Sequence, residues 1–189
     1  MDNEAKVKAV EEKLEEILKI MKVPESISTS NTPHRIAKMW VNEVFKNMND
    51  DNMEELYSQM TCFPAERGTG KRGLIMVKDI PFTSMCEHHF MPFFGTVTVA
   101  YVPSTEIIGL SKIPRVVKYF SKRPQVQERF TEDIKQYLTE ILYPLALFVE
   151  VKATHTCVLC RGAESEAETE TLSWFGDEKY YHEYLERRS

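Results

Sequence analysis

Glycine is scarce in this chain, 7 among 189 residues, and proline is not abundant at 9. So little of either leaves no room for a long flexible linker or a low-complexity stretch. No run of about 18 apolar residues occurs, so no membrane-spanning helix is expected. Cysteine numbers only four: Cys62, Cys86, Cys157 and Cys160. The opening residues lack the charged-then-apolar pattern of a secretory leader. The expectation is a cytoplasmic protein whose cysteines serve a metal or the core rather than disulfides. A basic excess is missing too: 24 Lys and Arg against 29 Asp and Glu leave a net charge of −5. That balance argues against binding a nucleic-acid backbone, though it permits a small basic pocket for one nucleotide.

What is present is ordinary for a soluble globular protein, with 42% hydrophobic and 28% charged residues. The length suits one core. Apolar residues Val7, Val10, Leu14, Ile17, Leu18 and Met21 recur at steps of three and four, which predicts a helix over 5–22. Thr32 and Pro33 open a second helix, with Thr32 as N-cap and Ile36, Trp40 and Val44 on one face. A short helix is expected over 52–60. Residues 1–50 thus read as an N-terminal helical segment, and 51–189 as the main domain, the two forming one structural unit. The period then changes to two. Strands are expected over 73–80, 94–102, 107–110, 145–159 and 169–175. Helices are expected over 111–121, with Ser111 as cap, over 125–142 and over 177–187. The class is α+β, a largely antiparallel sheet with helices on one face.

Two clusters of soft ligands stand out. The first is Cys86-Glu87-His88-His89, between Pro81 and Pro92; the second is His155-Thr156-Cys157. On a continuous strand His155 and Cys157 share a face, about 7 Å apart. A closed structural zinc site could use Cys86, His89, Cys157 and Cys160; a catalytic zinc takes three protein ligands and keeps one position open. On strand parity Cys160 faces away from Cys157, and the closed site leaves His88 and His155 idle. Both points favour the open site. A lone cysteine in an apolar strand is usually core, and a lone histidine such as His182 is usually solvated; four soft ligands in two tight clusters fit that account poorly.

Cations gather at two helix starts: Arg35 and Lys38 after Thr32-Pro33, Lys112 and Arg115 after Ser111. Any one of them reads as solvated surface charge. Two such pairs, with Arg161 beside the metal strand, point to a polyanionic ligand. Glu128, in Gln125-Val126-Gln127-Glu128-Arg129, is an acceptor for the paired N1–H and N2–H₂ donors of a guanine edge, although acidic residues in a first helical turn are usually dipole partners.

With these residues in view, the chain resembles GTP cyclohydrolase I. The resemblance rests on Thr32-Pro33-His34-Arg35-Ile36-Ala37-Lys38-Met39, Ser84-Met85-Cys86-Glu87-His88-His89, Gly109-Leu110-Ser111-Lys112, Gln125-Val126-Gln127-Glu128-Arg129, and Thr154-His155-Thr156-Cys157 with Arg161-Gly162. It runs from about residue 5 to the end. It implies the tunnelling (T) fold, whose sheets join into a barrel in the oligomer, and a homodecamer of two face-to-face pentamers with intersubunit active sites. The implied reaction converts GTP and water to 7,8-dihydroneopterin triphosphate and formate, at the entry to pterin, folate or deazaguanine synthesis.

By the same resemblance Cys86, His89 and Cys157 are the zinc ligands, and zinc activates the water that attacks C8. His155 protonates N7 and His88 assists ribose opening. Ser111 positions the substrate, and Glu128 with Gln127 holds the guanine. Arg35, Lys38, Lys112, Arg115 and Arg161 surround the triphosphate. Three rivals are an inactive T-fold protein with structural zinc, a nucleic-acid-binding zinc module and a T-fold enzyme acting on another pterin or deazapurine. The departures from the family pattern are Cys160, the acidic stretch 163–171 and a short segment before the first helix.

Overall fold

The computed structural model describes residues 1–48, 52–65 and 73–188. Helix α1 (Asn3–Ile20) is capped by Asp2, whose side chain accepts from the Ala5 amide at 2.8 Å. It packs on α2 (Thr32–Met39), which continues into a π-helical turn over Trp40–Val44. Asn31, not Thr32, occupies the N-cap of α2, so the helix begins one residue earlier than expected. The boundary placed between residues 50 and 51 lies outside the described residues. After α3 (Met53–Ser58) comes a two-stranded ladder of β1 (Cys62–Pro64) and β4 (Glu106–Ile108). Three residues ending in proline carry too little pattern to reveal β1 from sequence.

The main sheet has the order β5-β2-β3-β6-β7. Its strands are β2 (Ile75–Cys86), β3 (Pro92–Val102), β5 (Pro124–Gln125), β6 (Ala146–His155) and β7 (Glu168–Gly176). All neighbours are antiparallel except β2 and β5. Strand β2 runs six residues past its expected end at residue 80. Its register shifts between Val77 and Ile80, with Asp79 at φ 56°. That bulge lets the strand continue through Pro81, which pairs with Thr96. Proline is tolerated there because β5 meets β2 only at Met85 and Cys86.

Between β4 and β5 lies α4 (Lys112–Phe120), and between β5 and β6 lies α5 (Gln127–Leu142). The odd-numbered residues Val97, Val99, Tyr101, Leu147, Val149 and Val151 turn one sheet face onto Ile113 and Val117 of α4 and Ile134 and Leu138 of α5. The other face is not bare. The C-terminal helix α7 (Glu178–Arg187) covers part of it: Tyr184 stacks on Phe148 at 4.6 Å and Tyr181 on Trp174 at 5.0 Å. The expectation of helices on one face alone is corrected accordingly. The even-numbered side of the sheet carries enough apolar surface, including Ala100, Val102 and Phe148, to hold a helix of its own.

A second correction concerns 145–159. Strand β6 stops at His155, and Thr156–Leu159 form a short helix α6. The Thr156 hydroxyl donates to the Pro92 carbonyl at 2.6 Å, which turns the chain there. Cys157 therefore sits on a helical turn, and the parity argument built on a continuous strand does not apply to Cys157, Cys160 or Arg161.

Candidate metal centre

Cys86 is the last residue of β2 and 3% exposed. Its amide donates to the Met91 carbonyl and its carbonyl accepts from the Phe90 amide, both at 2.9 Å. Phe90, at φ 50°, closes this tight turn. The Phe90 ring lies against Phe45 at 5.5 Å and Trp40 at 6.4 Å, so the N-terminal helices brace the turn. Glu87 points to Arg129 on α5, at 2.7 and 3.4 Å. That hydrogen bond holds the Glu87 carboxyl below its usual range.

His155 ends β6 opposite Phe93 of β3, and its ring stacks on Phe93 at 4.7 Å. One turn of α6 then brings Cys157 back toward Cys86. One ligand atom from each of Cys86, His155 and Cys157 lies within 4.8 Å of the other two. Burial pushes the Cys157 thiol up, and its hydrogen bond with Cys86 adds to the rise. Two buried thiols facing each other beside an imidazole are a poor apolar core. They are a sound donor set for zinc, which takes sulfur and nitrogen ligands and deprotonates the thiols on binding.

His88 and His89 stand on the exposed turn, their rings 6.5 Å apart. His88 Nδ1 lies 3.6 Å from Cys86 Sγ. His89 is not among the three converging ligands: its Nε2 accepts from Arg161 Nη1 at 2.8 Å. Arg161 follows α6 and its charge is felt at Cys157. Cys160 is exposed at the end of α6 and outside the group of three. Burial pushes His155 below the ordinary imidazole value, against the pull of the Glu128 carboxylate. Glu128 is exposed in the first turn of α5. Gln127 is buried, and its Oε1 lies 2.8 Å from His155 Nε2.

The remaining cations are not drawn to this cluster. Lys38 lines a groove of about 720 Å³ between α1 and α2, facing Glu4, Glu11 and Glu15. Arg35 is exposed on α2. Arg115 Nη1 donates to Gln59 Oε1 at 3.0 Å, in a basin shared with Lys46, Lys118 and Lys122. Ser111 is exposed before α4 and makes no side-chain capping bond; Lys112 is half-buried. Sequence reasoning missed the Glu87–Arg129 pair, the Phe93 stack and the partners of Gln127. Residue type alone carried no signal for any of them.

The sequence profile of the family described as GTP cyclohydrolase I matches residues 10–186. The protein called GTP cyclohydrolase 1 of Latilactobacillus sakei is 43% identical over 173 residues, 90% of this chain and 88% of that one. Its namesake from Serratia proteamaculans is 37% identical over 177 residues, covering 93% and 77%. That of Tolumonas auensis is 42% identical over 165 residues, covering 85% and 74%. No helix among the described residues is long and apolar enough to cross a membrane.

Proposed function

We propose the reaction of this site from one premise: the chain belongs to the GTP cyclohydrolase I family and is an enzyme of that family. It converts GTP and water to 7,8-dihydroneopterin triphosphate and formate, with zinc as cofactor. The observation that carries this reading is the meeting of Cys86, Cys157 and His155 beside the Cys86–His89 turn and the first turn of α5. Cys86 and Cys157 would hold the zinc, and His89 would be the third ligand on giving up its bond to Arg161. Zinc supplies Lewis acidity that makes a water nucleophilic near neutral pH.

This chain's own residues do the rest. Glu128 accepts from guanine N1–H and N2–H₂ and orients the purine. His155, half-buried and stacked, carries the proton for N7. His88, on the exposed turn, serves proton transfer at the ribose. Ser111 positions the substrate. Arg35, Lys38, Lys112, Arg115 and Arg161, several of them from neighbouring subunits, neutralise the triphosphate. The oligomer is a decamer of two pentamers.

The test is incubation of the zinc-loaded protein with GTP. Formate should be released in step with a product that, once oxidised and dephosphorylated, fluoresces as neopterin. GTP consumption without formate overturns the reading. Exposed Glu128 and the acidic run 163–171 oppose a nucleic-acid-binding module, in line with the net charge of −5.

A further inference from the structure

We propose that Gln127 is a positioning residue that sets the tautomer of His155, keeping its proton on Nε2 and leaving Nδ1 as the basic nitrogen. The geometry forces the assignment step by step. Gln127 Nε2 lies 3.0 Å from the Val151 carbonyl, 3.0 Å from the Thr169 carbonyl and 3.2 Å from Thr171 Oγ1. Carbonyls only accept, so the NH₂ end of the amide must face them. Oε1 is thereby aimed at His155 Nε2, 2.8 Å away. A carbonyl oxygen cannot donate, so His155 Nε2 must carry the hydrogen.

The two threonines lock the arrangement. Thr131 Oγ1 donates its hydrogen to the Gln127 main-chain carbonyl at 2.8 Å. The 2.6 Å contact between the Thr131 and Thr171 hydroxyls must then use the Thr171 hydrogen. Thr171 Oγ1 is left as an acceptor for the Gln127 amide. The hydroxyl chain runs from Thr171 to Thr131 to the Gln127 main-chain carbonyl, and the two amide hydrogens of Gln127 are shared among three acceptors, the Val151 and Thr169 carbonyls and Thr171 Oγ1. Gln127 and Thr131 are 2% and 1% exposed. Buried among acceptors, the amide can sit only one way round, with its oxygen toward His155.

Two consequences follow for the reaction proposed above, on which this inference rests. His155 must exchange its working proton through Nδ1, because Nε2–H is committed to Gln127. Gln127 has no spare donor for guanine, so base reading falls to the neighbouring, exposed Glu128. The acidic stretch also gains a role: Thr169 and Thr171, at the start of β7, supply two of the anchors.

The test is solid-state ¹⁵N magnetic resonance on the zinc enzyme with labelled histidine, the His155 signals identified by their loss in His155→Asn. In the wild type, Nε2 should resonate as a protonated nitrogen and Nδ1 as an unprotonated one. Gln127→Glu keeps an acceptor beside His155 and should keep Nε2 protonated, while its carboxylate favours a second proton on Nδ1. Gln127→Met keeps the shape without the acceptor and should spread the proton over both nitrogens. In kinetics, Gln127→Met should lower kcat about tenfold or more, the usual cost of losing a partner that orients a site histidine, with KM for GTP little changed. A wild-type proton on Nδ1 overturns the proposal whatever the variants do. So does a Gln127→Met tautomer identical to wild type, or a raised KM with intact kcat, which would make Gln127 a base contact. The resonance readout requires no GTP, so it stands or falls apart from the assigned reaction.

Discussion

Two histidines compete for the third place beside Cys86 and Cys157. His155 lies within reach of both sulfurs, and its Nε2–H bond to Gln127 leaves Nδ1 free to take a metal, but its ring is clamped on Phe93. His89 lies on an exposed turn three residues after Cys86, hydrogen-bonded to Arg161. Breaking one exposed hydrogen bond costs little, about 1 kcal/mol. His89→Ala should therefore lose most of the zinc. His155→Ala should keep about one zinc per subunit and lose turnover by roughly 10²-fold, the worth of a positioned acid. Metal analysis after gel filtration decides it; zinc loss in His155→Ala gives the place to His155. Cys160→Ser should retain zinc and activity while Cys157→Ser loses both, because only Cys157 faces Cys86. Two tight clusters of Cys and His were readable as a metal site. The geometry joining them was not, because the Thr156 hydroxyl bends the chain by bonding to Pro92, 64 residues away in sequence.

Strands and helices show the same division between pattern and contact. Period two in 94–102 and period 3.6–like stripes in 125–142 were enough to place β3 and α5 to within about two residues. The extension of β2 through Pro81 was hidden, because a bulge and a missing neighbour strand leave no mark on hydrophobic pattern. Close approach is equally silent. A Cβ on Gly95 would lie 1.9 Å from the Lys152 carbonyl oxygen, inside the β3–β6 ladder. Gly95→Ala should thus destabilise by about 3 kcal/mol, seen as a lowered urea midpoint, since backbone on both sides cannot yield. An unchanged midpoint would mean the ladder is looser than described. On α5, Tyr137 is 3% exposed, and its hydroxyl has no hydrogen-bond partner among the described residues. Tyr137→Phe should stabilise by about 1 kcal/mol at neutral pH by removing a buried, unpaired hydroxyl. Burial also pushes the Tyr137 phenol far up. The unfolded chain loses that proton first, near pH 10, so wild-type stability falls as pH rises beyond it, and the variant should fall less steeply. Equal midpoints at pH 7 and equal alkaline slopes would refute both halves.

At the scale of the molecule, the cations proposed for the triphosphate do not meet at one place among the described residues. Arg161 stands at the cysteine cluster, whereas Arg115 pairs with Gln59 in a separate basin and Lys38 faces the carboxylates of α1. A triphosphate needs several cations at one place, and a single chain does not gather them. The surface agrees with a partner. Strand β7 ends the sheet with its outer edge unpaired among the described residues, and Trp174 and Phe175 on it are 40% and 44% exposed. Ile20, Met21 and Ile27 near the end of α1 are more exposed still, at 77%, 70% and 100%. In the proposed oligomer, a head-to-tail contact laying β7 against the next subunit's sheet would close a ring and would bring one subunit's helix cations to another's cysteine cluster. Light scattering should return a large multiple of 22.0 kDa for the active species. Mixing subunits makes the sharper test. Arg115→Ala and His155→Ala should each be nearly inactive alone, the first for want of triphosphate binding, the second for want of a proton donor. Dissociated, mixed and reassembled in equal amounts, they should regain about a quarter of wild-type activity. That is the fraction of sites drawing an intact His155 from one subunit and an intact Arg115 from its neighbour. A mixture as inactive as its components would place both residues in the same subunit's site, and the cations would then have to reach the metal by moving within one chain.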